Sequence, residues 1–431
     1  MKKVLCLYLD FILFMLVLII SSSVSGALKD VVWAETYGGL SDDVALAVIQ
    51  TRDGGFAFVG STGSYGAGRS DAWVVKTDAT GEIEWNLTYG GRNWDRFVGI
   101  VQTSDGGFVL AGDTDSTRSH DAFLMKIDVT KELIWSKIYG GTASDGINTV
   151  IQTNDGGFVL AGYTYSYGEG RGDAWVVKTD ATGEIEWHQA YGGREFDIAN
   201  SIIQTSDGGF LLAGSTDSYG AGRSDAWVVK TDVTGKLVWN QIYGGLDGEQ
   251  ADAVIQTSDG GFVLAGFTYS YGEGYSDGWL VKTDATGELV WNQTYGGTEF
   301  EYIHAIIQIS DGGFVFAGST SSYGKDDHAM WLVKTDSDGK MAWMKTYDGT
   351  ERAAADAVIQ TSDSGFVLAG YTFSYTGGYN KDALLIRMND SAPNSASTYT
   401  TTGLPISGYL SLGALGVAIG LIVLKTRSKS K

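Results

Sequence analysis

Cysteine is almost absent from this 431-residue sequence, and the single copy, Cys6, lies in the N-terminal segment. That segment begins Met-Lys-Lys, runs apolar from Phe11 to Ile20 and ends in small residues, which is typical of a secretory signal peptide. We expect residues 1–26 to be a signal peptide, with an uncleaved signal anchor as the alternative. Without residues 1–26 the chain contains no cysteine and can form no disulfide bond. The stability of the protein must then come from its hydrophobic core.

Proline is also scarce, and both copies, Pro393 and Pro405, fall near the C-terminus. They bound a Ser/Thr-rich stretch, 391–405, that we interpret as a stalk. The uncharged apolar run 406–424 is long enough to cross a membrane as a helix, and the basic tail 425–431 predicts a cytoplasmic C-terminus. The expected localisation is therefore the cell membrane, single-pass, with residues 27–390 outside the cell.

Positive charge and histidine are in short supply. The formal net charge of −21 argues against a nucleic-acid partner, because such a field repels polyanions. The four histidines stand at unrelated repeat positions and predict no metal-binding set. The sequence contains no HExxH motif, and it points to no particular enzyme activity. The histidines are His120, His188, His304 and His328.

Repeats dominate what is present. A turn of Asp-Gly-Gly type recurs every 52 residues, with one step of 50, and a tryptophan follows the same period, so the chain holds seven units. Within each unit, β-branched and aromatic runs alternate with glycine-rich turns, which predicts four short antiparallel strands. The turns begin at Asp53, Asp105, Asp155, Asp207, Asp259, Asp311 and Asp363, and the tryptophans are Trp33, Trp85, Trp135, Trp187, Trp239, Trp291 and Trp343.

Seven four-stranded units predict an all-β fold, a seven-bladed β-propeller of antiparallel blades over residues 27–390. A solenoid is the alternative, but it would need atypical capping units at its ends. A lone tryptophan strand at 31–39 precedes the first unit, and the last unit stops after its third strand at 382–390. We therefore expect the N-terminal strand to complete the last blade and close the ring, leaving no open sheet edge.

The stretch TDATGEIEW at 77–85 resembles the tryptophan motif of PQQ-type, quinoprotein-like propellers. The whole unit, with its DGGFVLAG core, resembles repeats of secreted or cell-surface β-propeller proteins of archaea and bacteria. This resemblance implies the propeller fold, an extracellular location and a tryptophan docked between neighbouring blades. It implies little about chemistry, because the chain departs from the enzyme pattern in blade number and lacks a vicinal cysteine pair.

The units differ most in the loop between the Tyr-Gly-Gly element and the next first strand. Variable loops on a rigid scaffold usually carry function, and aromatic rings with polar neighbours suit glycan or protein contacts. The alternative is that the rings pack on a neighbouring blade. The candidate binding residues are Arg92, Trp94, Arg96, Arg194, Phe196, Phe300 and Tyr302.

An acidic residue follows the aromatic position in six of the seven units. Such a ring of carboxylates could hold calcium through oxygen ligands, while the alternative is that each one caps a turn by accepting backbone N–H bonds. Apart from this weak calcium hypothesis, we expect no cofactor. The carboxylates are Asp43, Asp95, Asp145, Asp197, Glu249 and Glu301.

Two further expectations concern single residues. Asn86, Asn292 and Asn389 stand in glycosylation sequons. In the last repeat Ser364 replaces the first glycine of the turn, so we expect the second glycine, such as Gly107, to need a positive φ.

As a whole, the sequence favours a membrane-anchored binding or adhesion module whose partner is a surface protein or glycan. The alternatives are an extracellular enzyme, quinoprotein-like or polysaccharide-processing, and a structural cell-envelope component.

Overall fold

The computed structural model describes residues 30–115, 119–324, 328–348, 352–374 and 380–390. The predicted signal peptide, stalk, membrane span and basic tail lie outside these ranges. All regular elements of the described part are β-strands, 28 in number, and no helix within it is long and apolar enough to span a membrane.

The strands follow one another in groups of four after a single N-terminal strand. In chain order they are β1 (Val31–Tyr37), β2 (Asp43–Gln50), β3 (Phe56–Thr62), β4 (Asp71–Thr77), β5 (Ile83–Tyr89), β6 (Asp95–Gln102), β7 (Phe108–Thr114), β8 (Asp121–Ile127), β9 (Leu133–Tyr139), β10 (Asp145–Gln152), β11 (Phe158–Thr164), β12 (Asp173–Thr179), β13 (Ile185–Tyr191), β14 (Asp197–Gln204), β15 (Phe210–Thr216), β16 (Asp225–Thr231), β17 (Leu237–Tyr243), β18 (Glu249–Gln256), β19 (Phe262–Thr268), β20 (Asp277–Thr283), β21 (Leu289–Tyr295), β22 (Glu301–Gln308), β23 (Phe314–Thr320), β24 (Ala329–Thr335), β25 (Met341–Tyr347), β26 (Ala353–Gln360), β27 (Phe366–Ser374) and β28 (Asn380–Met388).

These strands form seven four-stranded antiparallel sheets, which are the blades of a propeller. The first six blades are β2–β5, β6–β9, β10–β13, β14–β17, β18–β21 and β22–β25; the seventh is β26–β28 with β1 on its outer side. The first strand of each blade contacts the first strands of both neighbours, and β26 contacts β2 in the same way, so the ring is closed. The predicted closure is confirmed: β1 pairs antiparallel with β28, from Val31 opposite Met388 to Tyr37 opposite Ala383.

The hydrophobic core lies between blades rather than within them. At the closure, for example, Phe58 and Trp73 of the first blade pack with Val367 and Leu385 of the seventh. The tryptophan docking that the family resemblance implies is confirmed at this interface, because the Trp33 ring lies 5.6 Å from Phe56 of the next blade. Burial of such rings contributes most of the stability of a protein without disulfides.

The Asp-Gly-Gly turn is held by its aspartate. Asp105 Oδ1 accepts hydrogen bonds from Thr103 Oγ1 at 2.5 Å and from Gly107 N at 3.2 Å, while Oδ2 pairs with Lys126 of the third strand at 2.5 Å. The same Asp–Lys or Asp–Arg pair occurs at all seven turns, which explains why this stretch repeats. The other pairs are Asp53–Lys76, Asp155–Lys178, Asp207–Lys230, Asp259–Lys282, Asp311–Lys334 and Asp363–Arg387.

The expectation about the turn glycines was wrong. The first glycine carries the positive φ, +87° at Gly106, and Ser364 adopts +69° at the same position of the last repeat. The second glycine is required for a different reason. A Cβ atom on Gly107 would lie 2.3 Å from the carbonyl oxygen of Ile127, which is a backbone atom that cannot move aside.

Candidate functional site

One face of the propeller carries the variable loops, and we call it the mouth face. Here, at five blade interfaces, the loop before the first strand of one blade meets the loop between the second and third strands of the preceding blade. The contacts are short parallel bridges such as Ser70–Trp94 and Gly172–Phe196. The opposite face carries the Asp-Gly-Gly turns. The predicted binding residues are therefore held on the mouth face by backbone hydrogen bonds between neighbouring blades.

The three predicted aromatic rings lie at three different blade interfaces. Trp94 is 56% exposed, whereas Phe196 and Phe300 are half-buried. Phe196 stacks on Tyr165 with the ring centroids 6.0 Å apart, and Phe300 stacks on Tyr275 at 5.1 Å. The outer rings of these stacks remain accessible, with Tyr275 65% exposed. Each interface thus presents one aromatic ring to solvent, although in two cases the exposed ring is a tyrosine that the sequence analysis did not single out.

The predicted arginines have different surroundings. Arg92 and Arg194 are exposed on the mouth face. Arg96 donates two hydrogen bonds, of 3.1 and 2.9 Å, to the fully buried carboxylate of Asp113. His120 pairs with the same carboxylate, and this contact, together with Asp115, outweighs burial and raises the pKa of His120 to about 9. Arg96 is therefore engaged in a structural ion pair, while Arg92 and Arg194 are available to a ligand.

The six carboxylates of the calcium hypothesis are buried at the start of each first strand. Asp43 Oδ2, for example, accepts hydrogen bonds from Gly39 N at 2.8 Å and Ser64 Oγ at 2.6 Å. The equivalent bond from the second glycine of the Tyr-Gly-Gly element is present in the other five units, so these bonds correspond to the capping alternative. Among the described residues, no three His, Cys, Asp or Glu side chains come together so as to hold a metal ion. The other five acceptors are Asp95, Asp145, Asp197, Glu249 and Glu301.

Each of these carboxylates faces a second one across a glycine. A Cβ atom on Gly90 would lie 2.6 Å from Asp71 Oδ1 and equally close to Asp95 Oδ2. Such pairs occur at five other interfaces, but the interface between the sixth and seventh blades has Ala329 and Ala353 instead. At this interface Asp348 replaces the glycine, so a single carboxylate occupies the space of the usual pair.

A cavity of about 420 Å³ lies between the sixth and seventh blades at the mouth face and is here called the blade 6–7 cavity. Among the described residues, its wall contains three aromatic rings, two histidines, one arginine, one serine and two alanines. The predicted residue Tyr302 is among them. The lining residues are Tyr302, His304, Ser319, His328, Arg352, Ala353, Ala354, Tyr371 and Phe373.

A ring of residues inside the channel borders this cavity, and we call it the channel ring. In every blade the register of the first strand shifts at one residue, which forms a β-bulge. The ring is apolar in the first two blades and polar or charged in the other five. Its members are Leu46, Val98, Asn148, Asn200, Asp252, His304 and Asp356.

Hydrogen bonds link the polar part of the channel ring from blade to blade. Asn148 Nδ2 donates to Asn200 Oδ1 at 3.3 Å, and Asn200 Nδ2 donates to Asp252 Oδ1 at the same distance. His304 Nδ1 then lies 3.5 Å from Asp252 Oδ2. The chain of contacts ends at Asp356, whose buried Oδ2 accepts no hydrogen bond.

Two ring members, His304 and Asp356, have shifted pKa values. Burial by itself lowers the pKa of His304, but the contact with Asp252 and the charges of Asp252 and Asp356 outweigh it, so the net shift is upward. Burial raises the pKa of Asp356 to about 6, against the opposing charges of His304 and Lys381. His304 thus lies between two acids, and burial raises the pKa of one of them, Asp356, to about 6.

The channel ring was missed at the sequence level, although a signal existed. Ring members occupy one fixed position, three residues after the residue that begins the first strand, and this position varies from Leu46 to Asp252 between units. The four histidines do occupy unrelated repeat positions, yet His304 and His328 line the same cavity. They reach it from different repeat positions, one on a first strand and one in a loop.

The three glycosylation sequons remain predictions. Asn86 and Asn292 are exposed on the outer strands β5 and β21, and Asn389 is exposed just after β28. All three positions are accessible for modification.

Comparison with known proteins gives distant neighbours. No family model matches the chain, and no curated protein is similar to it. Among solved structures, Sqt1 from Chaetomium thermophilum is 12% identical with a TM-score of 0.47, covering 80% of this chain and 83% of that one. A fungal alcohol oxidase of the AA5 family in complex with copper is 14% identical with a TM-score of 0.48, covering 85% and 77%. YCF48 bound to D1 peptide is 10% identical with a TM-score of 0.46, covering 86% and 100%.

Proposed function

We propose that this protein is an extracellular binding module that engages glycans through its mouth face. The observation that carries the proposal is the set of exposed aromatic rings on a rigid frame, formed by Trp94, Tyr165 and Tyr275 at separate blade interfaces. Flat rings with polar neighbours stack on the apolar faces of sugars at little entropic cost, because backbone bridges between blades already fix their loops.

The predicted segments outside the described residues complete this proposal. A signal peptide at 1–26, a stalk at 391–405, a membrane span at 406–424 and a basic tail at 425–431 would hold the propeller outside the cell. β28 ends at Met388, next to the Asp-Gly-Gly turn of its blade, so the chain leaves the propeller on the face opposite the mouth. A stalk that starts there would leave the mouth face directed away from the membrane.

A glycan array probed with the full chain, purified in mild detergent, tests the proposal. We expect binding to a subset of glycans and a loss of at least about tenfold in affinity for Trp94→Ala or Tyr275→Ala. Ile138→Ala is the matched control, because Ile138 is equally exposed but lies on the outer strand β9. Absence of glycan binding, or equal losses in all three variants, would refute the mouth face as a glycan-binding surface.

A second candidate function, a polysaccharide-processing enzyme, is favoured by one observation. Asp356 and His304 form a pair of titratable groups with shifted pKa values beside a cavity, which is the arrangement that general acid–base catalysis uses. Release of reducing ends from polysaccharides, measured for the wild type and for Asp356→Asn, separates the two functions. Turnover that disappears in the variant while binding persists would support the enzyme, and no turnover in the wild type would eliminate it.

A further inference from the structure

We propose that a cavity between the fifth and sixth blades binds the acetamido group of an N-acetylated sugar. The cavity has a volume of about 510 Å³, lies between β21 of the fifth blade and β24 and β25 of the sixth, and is here called the blade 5–6 cavity. This inference rests on the proposed glycan-binding function and adds a second site to it, separate from the aromatic stacks.

A buried hydrogen-bond donor without an acceptor lies at the wall of this cavity. Trp331 on β24 is only 1% exposed, and it lines the cavity. Its indole Nε1 donates no hydrogen bond to any of the described residues. An unpaired buried donor is costly, so a ligand that brings an acceptor to this point gains more than it would at an exposed group.

The other blades show in which direction this indole N–H points. In three of them the equivalent tryptophan donates a hydrogen bond of 3.4 Å to the residue 13 positions further along the chain, on the outer strand. In the sixth blade that residue is Met344, which also lines the cavity. The indole N–H of Trp331 therefore points toward the cavity lining at Met344. The three pairs are Trp73–Asn86, Trp175–His188 and Trp279–Asn292.

The exchange at Met344 is specific to the sixth blade. Trp227 of the fourth blade also lacks a hydrogen bond, but Asn240 stands at the acceptor position there. Of the five blades with this tryptophan, only the sixth carries an apolar side chain at that position. Met344 is half-buried, and its unbranched side chain can rotate to admit a ligand.

The groups around the indole select the kind of acceptor. Met341, Met344 and the ring of Tyr323 line the cavity with it, so the acceptor should carry a small apolar substituent. An acetamido group meets this requirement, because its carbonyl oxygen can accept from Nε1 while its methyl group contacts the methionines.

Polar side chains of the lining suit the rest of the sugar. Gln293 and Thr294 reach the cavity from β21, and the Gln293 amide can accept the acetamido N–H. Asp338 and Lys340 are exposed at its edge and can exchange hydrogen bonds with sugar hydroxyls. The volume lies within the usual range for small-molecule sites, about 300–1,000 Å³.

Calorimetry on the full chain with N,N′-diacetylchitobiose and cellobiose tests the assignment, because cellobiose has hydroxyl groups in place of the acetamido groups. We expect diacetylchitobiose to bind and cellobiose to bind at least about tenfold more weakly. Trp331→Phe, which removes the donor, should abolish this preference.

Met344→Asn is the decisive variant, because it gives the indole N–H the internal acceptor that other blades have. It should weaken diacetylchitobiose binding at least about tenfold. Its melting temperature should stay close to that of the wild type, because Asn86, Asn240 and Asn292 occupy the same position in three other blades. The loss of affinity would then not reflect a loss of structure.

Ser136→Asn is the matched control, since Ser136 holds the same position in the second blade, where Phe123 replaces the tryptophan. Its affinity for diacetylchitobiose should equal that of the wild type. The assignment is overturned by absence of diacetylchitobiose binding, by equal affinity for cellobiose, or by full affinity in Met344→Asn. Diacetylchitobiose binding that is lost in Trp94→Ala but kept in Met344→Asn would overturn the cavity assignment and leave the proposed function intact.

Discussion

At the scale of single residues, two positions carry backbone strain that the repeat itself shows to be avoidable. Lys131 adopts a φ of +72° and Ser364 one of +69°, while the equivalent positions of other blades hold glycine with similar φ values. A side chain in the left-handed region costs about 1–2 kcal/mol, because its Cβ crowds the following carbonyl oxygen.

Replacement of either residue by glycine should therefore stabilise the protein. We expect Lys131→Gly and Ser364→Gly each to raise the free energy of unfolding by about 0.5–1 kcal/mol, since relief of strain exceeds the added entropy of the unfolded chain. Thermal melting measures this change. Ser337→Gly, at an exposed turn position without a positive φ, is the control and should not stabilise.

The two glycines of the Asp-Gly-Gly turn should respond differently to substitution. Gly106→Ser should cost about 1 kcal/mol, because serine tolerates the same φ at position 364. Gly107→Val should cost more than about 3 kcal/mol, because its Cβ would overlap the carbonyl oxygen of Ile127. Melting temperatures of the two variants compare these costs, and equal shifts would contradict the steric explanation.

At the scale of the strand and turn, the ion pairs of the Asp-Gly-Gly turns predict a limit to acid stability. The hydrogen bond from Thr153, with further contributions from Gly157 and Lys178, lowers the pKa of Asp155 to about 2, and Asp105, Asp207 and Asp259 behave alike. A lowered pKa in the folded state stabilises the protein above the unfolded value near 3.8, and this contribution is lost as the pH falls toward 2.

Melting temperatures should therefore fall steeply between about pH 4 and pH 2. Asp155→Asn should lower stability at pH 7 by about 1 kcal/mol, the size of an exposed ion pair with its hydrogen bonds, and should reduce the loss on acidification. Asp217→Asn removes an exposed carboxylate from the mouth face and is the control. If the melting temperature of Asp155→Asn falls in acid as steeply as that of the wild type, other carboxylates cause the loss of stability.

The interface between the sixth and seventh blades offers a double-mutant test. Asp348 lies where the usual carboxylate would, because a Cβ atom on Gly324 would be 2.5 Å from Asp348 Oδ1 and 2.8 Å from Ala329 Cβ. Ala329→Asp should destabilise by at least about 2 kcal/mol through crowding of two buried acids. Asp348→Gly in the same chain restores the glycine that the other blades have at this position and should recover at least about 1 kcal/mol, measured as the coupling energy. Additive effects would show that the two positions are independent.

At the scale of the whole molecule, ring closure should make the N-terminal strand as important as any internal strand. Trp33 of β1 packs on Phe56, and Tyr37 donates a hydrogen bond of 2.7 Å to the Gly81 carbonyl of the first blade. Trp135 makes the same contact with Phe158 in the interior of the chain.

Trp33→Ala and Trp135→Ala should therefore destabilise by similar amounts, about 2–3 kcal/mol each for a partly buried tryptophan. Chemical denaturation of both variants provides the comparison. A much smaller loss for Trp33→Ala would mean that β1 is an appendage to a ring that is stable without it.

Blade number and ring closure could be predicted from the sequence because both are periodic properties. The seven tryptophans count the blades, and the lone strand before the first unit requires a partner after the last. The aromatic stacks and the blade 6–7 cavity could not be predicted, because they depend on pairs of residues from different repeats, such as Phe300 with Tyr275. The cavity brings together residues of the sixth and seventh repeats, such as His304 and Ala353, only when the two blades are placed side by side.

The pairing of β28 on both sides has a mechanical consequence. Its hydrogen bonds join it to β27 along one edge and to β1 along the other, and its C-terminal end leads out of the propeller. A tensile load applied through the C-terminus would act along the axis of β28 and would have to shear two ladders at once. An outermost strand in that position would instead detach one bond at a time. The N-terminal strand would thus reinforce β28, the strand along which such a load would act.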